Sequence, residues 1–107
     1  MIVTVFRSRL MPGLKDEYIA LVERMVELAQ TTPGYISHKG FFAEDGERCT
    51  IVEFADEKGQ EAWRTNTEHL AAQRLGRSKY YETFDLQICH VMRESHYDRK
   101  KEAKARA

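Results

Sequence analysis

Two stretches of helical period, set among four stretches of strand period, constrain this chain more than any other feature. Residues 14–31 bring Leu14, Tyr18, Leu21, Val22, Met25, Leu28 and Ala29 onto one apolar stripe at about 100° per residue, with Asp16, Glu23, Arg24 and Glu27 opposite. Thr32-Pro33-Gly34 ends that helix. Residues 57–75 form a second helix, with Gly76 as its C-terminal cap and Arg74 in the last turn. The strand-like runs are 1–10, 35–43, 48–55 and 84–93. Glu44-Asp45-Gly46-Glu47 joins the middle two as a hairpin turn. The order is therefore β-α-β-β-α-β, and residues 77–83 are a polar and aromatic connection.

Two β-α-β halves with right-handed crossovers predict an α+β, ferredoxin-like fold, an antiparallel sheet with two helices on one face. The expected strand order is four, one, three, two. Cys49 and Cys89 then lie on strands that flank strand one, about 9–10 Å apart. That separation excludes an intrachain disulfide, and both thiols are expected to be reduced and buried. The helix-free face is partly apolar through Val3, Val5, Cys89 and Val91. A second copy stacked sheet against sheet would cover it, or the C-terminal tail folded back.

Composition narrows the function classes. The chain has 107 residues, 17 basic and 17 acidic, so no net charge draws it to nucleic acid or to an anionic membrane. No apolar run approaches a membrane span. The first ten residues read as a strand and not as a signal peptide, which places the protein in the cytoplasm. Residues 1–93 form one domain; residues 94–107, ESHYDRKKEAKARA, form a charged, partly helical tail.

The second helix concentrates the chemistry. Trp63, Thr67, Leu70 and Arg74 share a stripe, and Asn66, His69 and Gln73 lie on its flank. A large aromatic beside three hydrogen-bonding side chains, one titratable near neutral pH, can line a pocket for a flat organic molecule. The same pattern also fits an ordinary amphipathic helix with Trp63 and Leu70 in the core. His38, His90 and His96 read as structural or solvated groups.

The chain resembles the antibiotic biosynthesis monooxygenase superfamily of dimeric α/β-barrel proteins over residues 1–93. The resemblance rests on MIVTVFRSRLMPGLKDEYI, TTPGY, IVEFADEKGQEAWRTNTEH and GRSKYYETFDLQICHVMR. It implies a homodimer, with a cleft in each subunit between sheet and helices. In the haem-degrading branch an Asn on strand one, a Trp on helix two and a later His form the site. Here the Trp matches Trp63, but Phe6 and Gln73 stand at the other two positions. Gln is a poor haem ligand, which disfavours that activity.

The cofactor-independent branch oxidises phenols to quinones with O2 and uses neither metal nor cofactor. On that resemblance His69 is the candidate base, Asn66 and Gln73 hold an oxyanion, and Trp63, Phe6, Phe42 and Tyr81 wall the site. An isomerase or signal-degrading enzyme, and a non-enzymatic binding protein, are the competing functions on this fold.

Overall fold

In the computed structural model, residues 1–101 are described. The elements are β1 (Ile2–Leu10), α1 (Lys15–Thr31), β2 (Tyr35–Phe42), β3 (Arg48–Phe54), α2 (Glu57–Arg64), α3 (Thr67–Leu75) and β4 (Tyr81–His90). A π-helical turn, Gly76–Tyr80, joins α3 to β4. The strands form one antiparallel sheet ordered β2-β3-β1-β4, as the element order predicts.

Register decides which residues meet the helices. Ile2, Thr4, Phe6 and Ser8 of β1 lie opposite Phe54, Val52, Thr50 and Arg48 of β3, and opposite His90, Ile88, Leu86 and Phe84 of β4. Along this face the stripe of α1 packs Met25 and Ala29 against Val52, Phe54 and Trp63; Ala29 and Phe54 are fully buried. These contacts remove most of the core's apolar area from water. A register shift between Tyr35 and Ser37 brings the Tyr35 ring to this side, edge-on to Phe54 at 6.2 Å. Simple alternation assigns Tyr35 to the opposite face; the irregularity in β2 moves it.

The helix-free face carries Val3, Val5 and Ile51 beside charged pairs. Arg7 bonds Glu47 in a two-pronged contact, and Arg9 bonds Asp45, tying the β2–β3 turn to β1. Cys49 lies opposite Arg7 and Cys89 opposite Val3, on either side of β1, and both are free. Cys49 is half-buried and Cys89 is exposed, correcting the expectation of two buried thiols, because Cys89 sits on an edge strand with no helix over it.

Three boundaries differ from the sequence-based expectation. The helix expected over 57–75 is broken at Thr65-Asn66 into α2 and α3. Gly76 does not end the helix in a left-handed cap. Its backbone is right-handed (φ −56°, ψ −49°), and a Cβ there would collide with the Tyr81 ring, with Cδ2 3.0 Å away. The connection expected over 77–83 is mostly the π-helical turn, and β4 begins at Tyr81 and ends at His90. Residues 91–98 form no regular element, and the Asp98 carboxylate accepts from the backbone N–H groups of Lys100 and Lys101. The remainder of the charged tail lies outside the described residues. No helix among them is long and apolar enough to cross a membrane.

Candidate active site

A cleft opens between the sheet and the helices, with a cavity of about 180 Å³. An apolar cavity of about 150 Å³ takes up benzene, so this one has room for a small aromatic ring system. Its floor comes from Thr4, Phe6, Thr50 and Val52, its roof from α1 and α2–α3, and its open side from Phe84, Leu86 and Ile88 of β4. Two arginines and two histidines reach its wall, and no Asp or Glu among the described residues does.

The break between α2 and α3 builds the central part. Thr65 and Asn66 are poor helix formers, and Asn is among the strongest N-caps. Asn66 Oδ1 accepts from the backbone N–H groups of Glu68 (3.0 Å) and His69 (3.1 Å), starting α3 afresh. The end of α2 leaves backbone carbonyls without helical partners. His69 Nδ1 lies 3.0 Å from the Trp63 carbonyl, and Gln73 Nε2 donates to the Arg64 carbonyl at 3.1 Å. The His69 ring also stacks on the Trp63 indole, centroids 3.8 Å apart and planes 16° from parallel.

That geometry assigns the imidazole proton. A carbonyl oxygen only accepts, so Nδ1 carries the hydrogen and Nε2 is left with a bare lone pair. Gln73 Nε2, 3.3 Å from His69 Nδ1, is the longer contact and is already committed to Arg64. Burial lowers the His69 pKa, partly offset by the Trp63 carbonyl, so the ring is neutral at pH 7. His69 Nε2 has no hydrogen-bond partner among the described residues.

The second cluster is aromatic. Tyr18 and Tyr81 share a 2.9 Å hydroxyl–hydroxyl bond at one end of the cleft. Tyr81 is edge-on to Phe6 at 5.3 Å, and Phe84 lies 5.6 Å from Phe6 and 5.7 Å from Tyr81. Burial raises the pKa of both tyrosines, which keeps both hydroxyls protonated.

Of the residues singled out in the sequence, Trp63, His69, Gln73, Phe6 and Tyr81 meet in the cleft. Asn66 does not reach its wall; its oxygen is committed to the α3 cap. Phe42 is also outside. It lies at the end of β2 under two cations, 4.4 Å from Lys15 Nζ and 5.1 Å from Arg48 Cζ. Tyr18, His38, Gln60 and Phe84 line the cleft and were not singled out for it. Tyr18 was hidden in the apolar stripe of α1, and His38 carries the alternation that marks the same face of β2. Among the described residues no three His, Cys, Asp or Glu side chains come together as a metal-holding group.

Relatives share this architecture. The family described as antibiotic biosynthesis monooxygenase matches residues 1–75. Protein YqjZ of Bacillus subtilis is 34% identical over 77 residues, covering 72% of this chain and 68% of that protein. Rv0793 from Mycobacterium tuberculosis superposes with a TM-score of 0.79 at 14% identity, over 89% of this chain and 98% of the other. SnoaB, a cofactor-independent oxygenase from Streptomyces nogalater, superposes with a TM-score of 0.74 at 15% identity, over 87% and 94%. At these identities the two structures share the fold. With more than half of its length matched by the family model, the chain is a member of the antibiotic biosynthesis monooxygenase family.

Proposed function

We propose that the protein is a cofactor-independent monooxygenase that oxidises a small phenolic substrate with O2 to a quinone, working as a cytoplasmic homodimer. The observation that carries this reading is the state of His69: a neutral imidazole with a free Nε2, held against an indole at the wall of an apolar cavity. A phenol bound beside Trp63 and Phe6 gives its hydroxyl proton to His69 Nε2. The phenolate passes one electron to O2, and the radical pair recombines as a peroxide on the ring. The peroxide takes the proton back from His69, and the hydroperoxide loses water with the hydrogen of the same ring carbon, so one phenol and one O2 become one quinone and one water. The apolar walls keep solvent from the radicals. Gln73 and Tyr81 supply hydrogen bonds to the ring oxygens.

Dimerisation is supported by β4, where Phe84, Leu86 and Ile88 are 37%, 50% and 48% exposed along an edge strand beside the open side of the cleft. An apolar strip of this kind is normally covered by a partner. Two free thiols fit a reducing compartment.

The test is oxygen consumption by the purified protein, treated with chelator, against one- and two-ring phenols and hydroquinones. Uptake that produces a quinone and is lost in a folded His69→Ala variant is the expected result. No uptake with any phenol would overturn the reading. Conversion without oxygen consumption would assign the cleft to an isomerase instead.

A further inference from the structure

Gln60 belongs to α2, one helical turn before Trp63, and lines the cleft while being only 7% exposed. The close approach of α2 to the sheet buries it. Gly59, the residue before, sits against the Pro33 carbonyl and the Phe54 ring, where a Cβ would stand 2.7 Å and 3.3 Å from them. The Gln60 backbone N–H donates to the Asp56 carbonyl, but its side-chain amide has no hydrogen-bond partner among the described residues. Its neighbours on α2 and α3 are committed. His69 bonds the Trp63 carbonyl, Gln73 donates to the Arg64 carbonyl, and Arg64 pairs with Glu61. A buried amide left unpaired is costly, and most such groups in folded proteins are bonded.

A second unpartnered group faces the same corner. Thr4 lies on the cleft floor, and its Oγ1 is buried without a partner among the described residues. Its cross-strand neighbours are Val52 and Ile88. Ile88 and Gln60 line both the cleft and an adjoining cavity that reaches Ile2 and His90, the next cross-strand pair on this face of the sheet. Gln60 is therefore set over the Thr4–Ile88 row. No Asp or Glu among the described residues lines the cleft, Arg64 is paired, and Arg77 lies over Phe84, four residues along β4 from Ile88. The group that matches this corner is therefore uncharged. A glutamine amide both accepts and donates, and a threonine hydroxyl does the same. Their complement is a second amide, with a donor and an acceptor side by side.

We propose that the Gln60–Thr4 corner is a subsite for an uncharged carboxamide or lactam edge on the ring that occupies the cleft, with Gln60 as a specificity-determining residue. The ligand's N–H donates to the Gln60 side-chain carbonyl, and the ligand's carbonyl accepts from the Thr4 hydroxyl. Gln60 precedes Trp63 by one turn and His69 stacks on that indole, so one ring beside Trp63 meets both. This deepens the phenol-oxidising reading by giving the substrate a second polar substituent. It rests on that reading only in using the same cleft, and its test reads binding and stability, not turnover.

The experiment is calorimetric titration of the full chain with benzamide and with acetophenone, which has a methyl group in place of the NH2. The native protein is compared with Gln60→Met and Thr4→Val, which keep the shape and remove the polar atoms. Comparing the ratio of the two affinities between proteins cancels the ligands' own hydration. The benzamide-to-acetophenone ratio should fall about fivefold in Gln60→Met, the worth of one hydrogen bond. Thr4→Val should weaken both ligands by about fivefold, because the carbonyl it bonds is common to the two. Without ligand, both variants should be at least as stable as the native chain in urea, because replacing an unpartnered buried polar group by an apolar one of the same shape is neutral or stabilising. A loss of stability in either would show that the group serves the fold, through a trapped water, and would overturn the proposal. So would a ratio unchanged in Gln60→Met, or no binding of benzamide by the native protein at millimolar concentration. Amide-selective binding without oxygen uptake from any phenol would uphold this subsite while removing the monooxygenase. Quinone formation with an unchanged ratio would do the reverse.

Discussion

His69 lies flat against Trp63 at 3.8 Å while its Nδ1 reaches the backbone carbonyl of the same tryptophan at 3.0 Å. One residue thus sets both the plane of the imidazole and its tautomer. The stack and the hydrogen bond together contribute on the order of 1–3 kcal/mol, enough to hold the ring in one rotamer.

Replacing His69 with Ala should lower oxygen-dependent turnover about 10²–10⁴-fold, the range of a lost general base. The fold should survive, because Trp63 keeps its core contacts with Val52 and Phe54. Trp63 is the only tryptophan, so its fluorescence reports the loss of the stacked imidazole directly. Near-native emission in His69→Ala would show that the rings do not stack in solution.

Stability should fall on mild acidification. His69 and His38 both have pKa values lowered chiefly by burial. Between the ordinary imidazole value of about 6.5 and the lower folded values, the unfolded chain binds more protons. The stabilisation is therefore complete above about pH 6.5 and is lost as pH falls from there through the folded values. Urea midpoints measured from pH 5 to 8 should decline on the acid side, and less steeply in His69→Gln. The acid limb of kcat/KM should lie below the ordinary imidazole pKa.

Asn66→Ala removes the cap of α3 and should destabilise the protein by about 1 kcal/mol in urea denaturation. Its effect on kcat/KM should be smaller than that of His69→Ala, because Asn66 acts by placing the first turn of α3 and not by touching the ligand. An activity loss as deep as that of His69→Ala would return Asn66 to the site itself.

Leu86→Asp and Ile88→Asp place a charge on the exposed strip of β4 without touching the buried core. Each should shift the protein from dimer to monomer in sedimentation velocity, with circular dichroism unchanged. A native protein that sediments as a monomer at micromolar concentration would remove the homodimer.

The pattern of periods in the chain was sufficient for the element order, the sheet order and the side of the sheet that meets the helices, because a one-residue slip would expose the entire core face of a strand. It also put Trp63, His69 and Gln73 side by side on the second helix; Phe6 and Tyr81 came forward only through the family resemblance, and all five line the cleft. The Thr65-Asn66-Thr67 break was legible too, as three residues that prefer caps to helix interiors, but the helical period carried through it and masked the stop. What tertiary structure alone decided was the pairing of groups distant in the chain. Tyr18 meets Tyr81 across 63 residues, and Arg48 comes to rest over Gly40 beside Phe42. Local propensity is silent on such contacts. They arise when strand register and the docking of α1 bring separate faces into one cleft, and whether a buried polar group finds a partner there depends on geometry that no single stretch of sequence encodes.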